Sequence, residues 1–214
     1  MTDSTEIEHP WFARGYLRVS KTAEARGARE HRRRLLDGLA GRVVEVGAGH
    51  GLNFPHYPNT VTEVIAIEPE PTLRAAAERA ATQAPIEIRV IRGLADRLPL
   101  DDESCDAAVA SLVLCSVPSQ ARALAELRRV LRPGGELRVY EHVIPDRQPK
   151  RALLQFADRS GLWPKVAGGC HPARDTTAAI TDAGFHIEQL DRFDFAAQRL
   201  EPAIPHILAI ARRP

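Results

Sequence analysis

The chain has few cysteines, no surplus of charge of either sign and no long apolar run, and each shortage removes a class of protein. Its three cysteines, Cys105, Cys115 and Cys170, are odd in number, widely spaced and without a CxxC pair. Neither a disulfide framework nor a zinc site is expected from that spacing, and no metal is assigned. The three read as free thiols in a reducing compartment. No stretch approaches the roughly 18 consecutive apolar residues of a membrane span, and Met1 to Pro10 is polar and acidic rather than signal-like. A cytoplasmic protein without stable membrane insertion is expected. The 29 basic and 28 acidic residues leave a formal charge of +1, which argues against a nucleic-acid partner, because phosphate tracking needs a basic excess. One basic cluster, Arg29 to Arg34, reads as the solvated face of an early helix.

What is present is enough to bury a core. A length of 214 residues with 44% hydrophobic and 27% charged side chains fits one soluble globular domain. The first forty residues read as helix, with Leu35, Leu36 and Leu39 at helical spacing on one face. Short β-branched or apolar runs then recur at Arg42–Val46, Glu63–Ile67, Ile86–Ile91, Cys105–Ser111 and Glu136–Val143. Helical segments lie between them at Pro71–Thr82 and Pro118–Leu131, the latter stopped by Pro133, Gly134 and Gly135. Strands separated in this way imply right-handed crossovers and a mostly parallel sheet covered on both faces. Further on, Arg151–Arg159 and Arg174–Ala183 read as helices, with a loop over Trp163–His171 between them and Gly184 as a cap. Phe185–Phe195 and Ile204–Arg212 read as an antiparallel closing hairpin. The expected fold is a Rossmann-like, seven-stranded α/β sheet.

The first strand runs into Glu45-Val46-Gly47-Ala48-Gly49-His50-Gly51. Glycines there allow positive φ and close approach of a cofactor to the backbone. Dinucleotide folds want GxGxxG, but Leu52 occupies the third glycine position, so an NAD-dependent oxidoreductase is the weaker reading. Glu68 closes the second strand 17 residues after Gly51, where an acid can accept hydrogen bonds from two ribose hydroxyls. Gly93-Leu94-Ala95-Asp96 follows the third strand, where a backbone amide and an acid can read an adenine edge. Ala110-Ser111-Leu112 ends the fourth strand beside the first, at the topological switch point. Trp11, Phe12 and Tyr16 form an aromatic group that either folds over the cofactor as a lid or staples the first helix to the sheet; for Tyr16 the lid is the preferred reading.

Glu45 to Gly51, the terminal Glu68, Leu98-Pro99 before an acidic turn and Leu131-Arg132-Pro133-Gly134-Gly135 together resemble the class I S-adenosylmethionine-dependent methyltransferases. A narrower likeness is carried by Asn53-Phe54, His56-Tyr57-Pro58, Leu112 to Val117, Glu141-His142-Val143, Gly169-Cys170-His171 and Pro205-His206-Ile207. These segments look like a methyltransferase-like subgroup that includes membrane-anchored thiol S-methyltransferases, whose hydrophobic N-terminal anchor this sequence does not show. The resemblance implies S-adenosylmethionine as cofactor and S-adenosylhomocysteine as product. It places Glu45, Gly47, Gly49 and Gly51 around the methionine part, Glu68 at the ribose and Ala95 and Asp96 at the adenine, where many relatives carry an acid at the position of Leu94. Tyr16, Asn53, Pro69, Leu94, Ser111 and Leu112 complete the expected cofactor set. In this reading residues 1–40 form a helical lid, 41–143 the cofactor core, 144–184 an acceptor-side cover and 185–214 the closing strands.

Methyl transfer from a sulfonium is an in-line displacement that positioning alone can drive far. A protein base is needed only when the acceptor must lose a proton. His142, at the end of the fifth strand beside Glu141, either accepts that proton near pH 7 or orders its loop through backbone bonds. His171 lies in the loop expected to cover the acceptor. Cys170 reads as a lid thiol rather than a nucleophile, and Cys115 and His206 read as packing residues. The partner is a small-molecule acceptor, with a thiol ahead of a phenol, an amine or a lipid headgroup; oligomeric state is left open. A non-catalytic module that only binds S-adenosylmethionine is the rival from another class.

Overall fold

In the computed structural model, residues 10–145, 148–159, 161, 169–199 and 202–214 are described. Helix α1 (Pro10–Ala23) passes through a π turn (Glu24–Ala28) into α2 (Arg29–Leu36). The interruption has a local cause: Gly27 takes φ 128°, outside the helical region, so the stretch expected to be continuous helix is two segments that change direction. Then follow β1 (Gly41–Val46), β2 (Val61–Ile67), α3 (Pro71–Ala81), β3 (Ile88–Ile91), β4 (Cys105–Ser111), α4 (Gln120–Val130), β5 (Leu131–His142), α5 (Lys150–Arg159), α6 (Thr176–Asp182), β6 (His186–Phe195) and β7 (Ile204–Arg212).

One seven-stranded sheet runs in the order β3-β2-β1-β4-β5-β7-β6. The first five strands are parallel neighbours, and β7 is antiparallel to both β5 and β6. Side-chain alternation along the strands divides the core in two. Val44, Val46, Ala108, Ala110, Leu137 and Val139 face Leu124, Leu127 and Val130 of α4 and Ile180 of α6. Val43, Val64, Ala66, Val109 and Tyr140 face Leu35 and Leu36 of α2 and Ala77 of α3. Helices therefore cover both faces, as the βαβ pattern required.

Three element ends are set by identifiable side chains. Glu70 accepts the amide of Leu73 at 2.7 Å and starts α3 with Pro71 in its first turn. Ser119 accepts the Arg122 amide and starts α4. Asp175 accepts the Ala178 amide, so α6 begins at Thr176 rather than Arg174, and Gly184 with φ 83° ends the segment. Strand β5 begins five residues before the expected Glu136, because Leu131 pairs with Cys105 before the register slips between Cys105 and Ala107. Of the expected loop over 163–171, residues 163–168 lie outside the described residues.

Candidate functional site

Parallel strands point their carboxyl ends to one edge, so the turns after β1, β2, β3, β4 and β5 meet there. The turn after β1 has three glycines in the left-handed region, Gly47 at φ 63°, Gly49 at φ 59° and Gly51 at φ 85°. They are not equivalent. A Cβ on Gly47 would overlap the Val113 side chain, and one on Gly51 would overlap the Phe54 ring and Ala80. Those two are glycine because neighbouring side chains fill the space. A Cβ on Gly49 would meet only the Tyr16 ring, at an ordinary 3.5 Å. Of the three, only Gly49 has room for a Cβ, which would fill the space beneath the Tyr16 ring.

Tyr16 also stands edge-on to His50 with ring centroids 5.5 Å apart, and Ser20 bonds the same imidazole at 3.3 Å. One face of α1 thus roofs the turn. Among the described residues Trp11 neither staples the helix nor covers the site: it is 84% exposed and stacks on the Arg14 guanidinium. Phe12's side chain lies outside what is described.

Glu68 sits at the end of β2 and is 5% exposed. Its Oε2 accepts the Gly49 amide at 2.7 Å and its Oε1 the Glu70 amide at 2.9 Å. Burial pushes its pKa up to about 7, against the pull of those two amides. Each carboxylate oxygen offers about two acceptor positions, so one on each remains for the two hydroxyls of a ribose. Pro69 is held through its carbonyl, which accepts from Arg74 at 2.8 Å. After β3, Arg129 donates to the carbonyls of Leu98 and Leu100, and the Leu98 amide donates to Glu126. That clamp fixes the loop carrying Leu94, Ala95 and Asp96, in which Leu94 bridges Arg97.

Glu45 alternates onto the α2 face and is enclosed there. Asn53 donates to its Oε1 at 2.8 Å and the Tyr57 hydroxyl to its Oε2 at 2.7 Å, while burial raises its pKa to about 7. The Asn53 Oδ1 in turn accepts from Arg32 at 3.0 Å, and the same guanidinium donates to Ser111 Oγ and to Glu24. Arg32 is only 4% exposed. The expectation that Arg29 to Arg34 is a solvated face fails at this residue, although Arg33 and Arg34 are exposed. Its signal was present: positions 32, 35, 36 and 39 share one helical face. Glu45 and Ser111 therefore reach the turn through a buried network centred on Arg32.

The exit of β4 is strained. Leu112 takes φ 55°, a conformation bulky side chains rarely adopt, and its amide donates to the Tyr140 carbonyl at 2.7 Å. Glu141 holds the next two residues by accepting the amides of Val113 and Leu114, both at 2.6 Å. Sequence reading gave Glu141 no role beyond its place beside His142. Arg174 adds a second brace, donating to the carbonyls of Leu114 and Val117. The segment so held carries Cys115.

His142 ends β5 with its Nε2 2.7 Å from the Cys170 sulfur. Burial and the neighbouring His206 lower its pKa to about 3, which keeps the ring neutral at physiological pH and makes it a poor proton acceptor. His171 instead pairs with Asp158 of α5, Nδ1 to Oδ1 2.9 Å, and its amide donates to the Cys115 carbonyl. Cys115, His142, Cys170 and His171 are thus gathered beyond the ends of β4 and β5. His206 packs in β7 against Tyr140, Phe193 and Phe195 and bonds the Ile204 carbonyl, as a packing residue should.

Residues 44–139 match the family model described as a methyltransferase domain. Over 185 residues the chain is 35% identical to a thiol S-methyltransferase of Mus musculus, TMT1B, covering 82% of this chain and 73% of the relative. The chain belongs to the class I methyltransferases. Its fold also matches solved members at lower identity. An S-adenosylmethionine-dependent methyltransferase from Mesorhizobium loti superposes with a TM-score of 0.60 at 24% identity, covering 89% of this chain and 98% of that one. Geranyl diphosphate C-methyltransferase from Streptomyces coelicolor, solved with S-adenosyl-L-homocysteine, gives 0.66 at 16% identity over 88% and 77%. This methyltransferase therefore takes S-adenosylmethionine as donor, releases S-adenosylhomocysteine and methylates a small acceptor. The acceptor positions left on Glu68 beside the Gly49 and Glu70 amides fit the two hydroxyls of a ribose. No helix among the described residues is long and apolar enough to cross a membrane.

Proposed function

We propose that this methyltransferase is a thiol S-methyltransferase whose cofactor lies at the glycine turn, beside Tyr16. The observation that carries the thiol reading is the likeness to the thiol S-methyltransferase over most of both chains. When bound, S-adenosylmethionine supplies a methyl carbon already activated on a sulfonium. The chain's task is then alignment and exclusion of water. Gly49 lets the donor lie against the backbone, Glu68 receives the ribose hydroxyls, and Leu94, Ala95 and Asp96 border the adenine. Gly47, Gly51, Glu45, Asn53, Pro69, Ser111 and Leu112 shape the floor on which the methionine part rests. Tyr16 closes over the sulfonium, where an aromatic face favours a cation. His142 and His171 line the acceptor side, where they orient the acceptor. A thiol needs little help, because with a pKa near 8.5 it is partly ionised at neutral pH.

The 214 residues act as one domain, with residues 1–40 as lid, 41–143 as cofactor core, 144–184 as acceptor cover and 185–214 as closing strands. A cytoplasmic setting agrees with three free cysteines. Incubation with S-adenosylmethionine and a matched panel of alkyl thiol, thiophenol, phenol, amine and phosphatidylethanolamine tests the reading. The thiols should turn over fastest, with one S-adenosylhomocysteine formed per methyl thioether. Faster turnover of the phenol, amine or lipid would sink the thiol assignment, and binding without any product would leave a cofactor-binding module.

The Glu68 role carries its own pH signature. The ionised carboxylate is the form that accepts both hydroxyls, and its pKa of about 7 lies well above the ordinary value. Affinity for S-adenosylhomocysteine should therefore rise by up to about tenfold between pH 6 and pH 8, the ratio of ionised fractions across that pKa. In the unliganded protein the sign is opposite. The folded state keeps a proton that the unfolded chain has already lost, so Glu68 contributes stability at low pH that is lost as pH rises through about 7. Glu68→Gln should bind more weakly by roughly 1.5 to 3 kcal/mol at pH 8 and lose this pH slope. Calorimetry across the range checks both, and an unchanged affinity in the variant would remove Glu68 from the ribose site.

A further inference from the structure

Among the described residues, one group of side chains unites three potential metal ligands. Cys115 Sγ, a ring nitrogen of His142 and Cys170 Sγ all lie within 4.8 Å of one another. They come from three separate segments, the braced turn after β4, the last residue of β5 and the loop before α6, which is why sequence spacing gave no sign of them. Nothing in methyl transfer from a sulfonium requires two thiols and an imidazole to converge. A hydrogen bond between His142 Nε2 and the Cys170 sulfur explains one contact. It leaves two buried atoms without a hydrogen-bond partner of good geometry among the described residues, His142 Nδ1 and Glu141 Oε2, although the Glu141 carboxylate also neighbours the Cys115 thiol and amide. These two atoms face each other at 3.9 Å.

We propose that Cys115, His142 and Cys170 form a site for a single thiophilic cation of the zinc class, with Glu141 as the carboxylate behind the histidine. Two cysteines and one histidine are a donor set that binds zinc tetrahedrally and leaves the fourth position open. Ligand distances to zinc of about 2.3 Å for sulfur and about 2.0 Å for nitrogen put adjacent tetrahedral ligands roughly 3.5 Å apart. The 2.7 Å between His142 Nε2 and the Cys170 sulfur must therefore open by under about 1 Å. Metal on Nε2 requires the proton on Nδ1, and a metal-bound histidine commonly gives that proton to a carboxylate. A small rotation of the ring toward Glu141 Oε2 would close the 3.9 Å gap and satisfy both unpartnered atoms together. Glu141 cannot swing away, since its other oxygen holds the amides of Val113 and Leu114. The two thiolates would balance the cation's charge, so the buried site would carry no net charge from metal and ligands.

The test uses the full chain, kept reduced with a phosphine, stripped by a chelator and titrated with cobalt(II) under anaerobic conditions. One equivalent should give sulfur-to-cobalt charge-transfer bands with intense tetrahedral visible bands, and zinc should abolish them by displacement. Cys170→Ser, in the partly exposed loop, should lose most of the charge-transfer intensity and bind at least tenfold more weakly, while Cys105→Ser, outside the group, should match the parent. Glu141→Gln should weaken binding by roughly 10–100-fold, the usual effect of removing a carboxylate behind a ligating histidine. Circular dichroism of each variant separates ligand loss from misfolding. Absence of the bands at one equivalent, or their persistence in both Cys115→Ser and Cys170→Ser, overturns the site. None of these readouts depends on methyl transfer, so the metal site and the thiol assignment fail or survive separately.

Discussion

Arg32→Met should cost about 3 to 5 kcal/mol of folding stability, the range for removing one partner from a buried charged pair. The substituted side chain keeps much of the length and apolar bulk of arginine, so the loss isolates the guanidinium. Its removal strands the nearly buried Glu24 carboxylate and leaves Asn53 Oδ1 and Ser111 Oγ without their donor. For a chain of this size the cost corresponds to a fall in melting temperature of roughly 6 to 20 °C. Arg32→Lys should recover only part of it, because one ammonium cannot serve three acceptors with the geometry of a planar fork. Cofactor affinity should fall as well, since Asn53 is the link from Arg32 to Glu45 at the floor of the turn. Thermal melts with and without S-adenosylhomocysteine measure both effects. A shift of a degree or two would mean that solvent serves those acceptors as well as the arginine does.

Gly47→Ala and Gly49→Ala should separate two requirements that look alike in the sequence. Both residues occupy left-handed backbone, where a side chain costs roughly 1–2 kcal/mol. At Gly47 the new methyl would also collide with Val113, adding about 1–3 kcal/mol of overpacking. The sum of about 2–5 kcal/mol should lower the melting temperature by roughly 4–20 °C. Gly49→Ala should lose only the backbone part, because its methyl would meet the Tyr16 ring at ordinary contact distance. Under the proposed cofactor position it should nevertheless lose most S-adenosylhomocysteine affinity, since the methyl fills the space left at the turn beside Tyr16. Equal melting shifts would refute the packing distinction. Normal binding by the Gly49 variant would move the cofactor away from Gly49.

These two experiments also mark what the sequence disclosed. Elements ruled by local pattern were readable: Cys105–Ser111 is a strand at those bounds, and the three glycines take the positive φ expected of them. Glu68 at a strand end was readable because a parallel sheet brings all such ends to one edge. Arg32 is hard to read because the five charged and polar residues around it, Arg29, Glu30, His31, Arg33 and Arg34, hide the apolar face it shares with Leu35, Leu36 and Leu39. The meeting of Cys115, His142 and Cys170 could not be read, since it depends on where β5 ends relative to the β4 turn and on the path of a loop between two helices. The neutrality of His142 was hidden for the same reason: burial and His206, a residue of another strand, set it.

The antiparallel insertion of β7 has a consequence for how the protein assembles and fails. Strand β6 touches the sheet only through β7, and β7 joins it only along β5. The hairpin must therefore dock as one unit onto a five-stranded parallel platform, and it must leave as one unit. Opposite His142 in that register is His206, so the acceptor side proposed for His142 is complete only after docking. The glycine turn, Glu68 and the loop after β3 belong wholly to the platform. Mild denaturant should release the hairpin as the least stable cooperative unit, abolishing turnover while cofactor binding persists. The same opening bares the edge of β5, which makes this half-opened form the species most prone to aggregate.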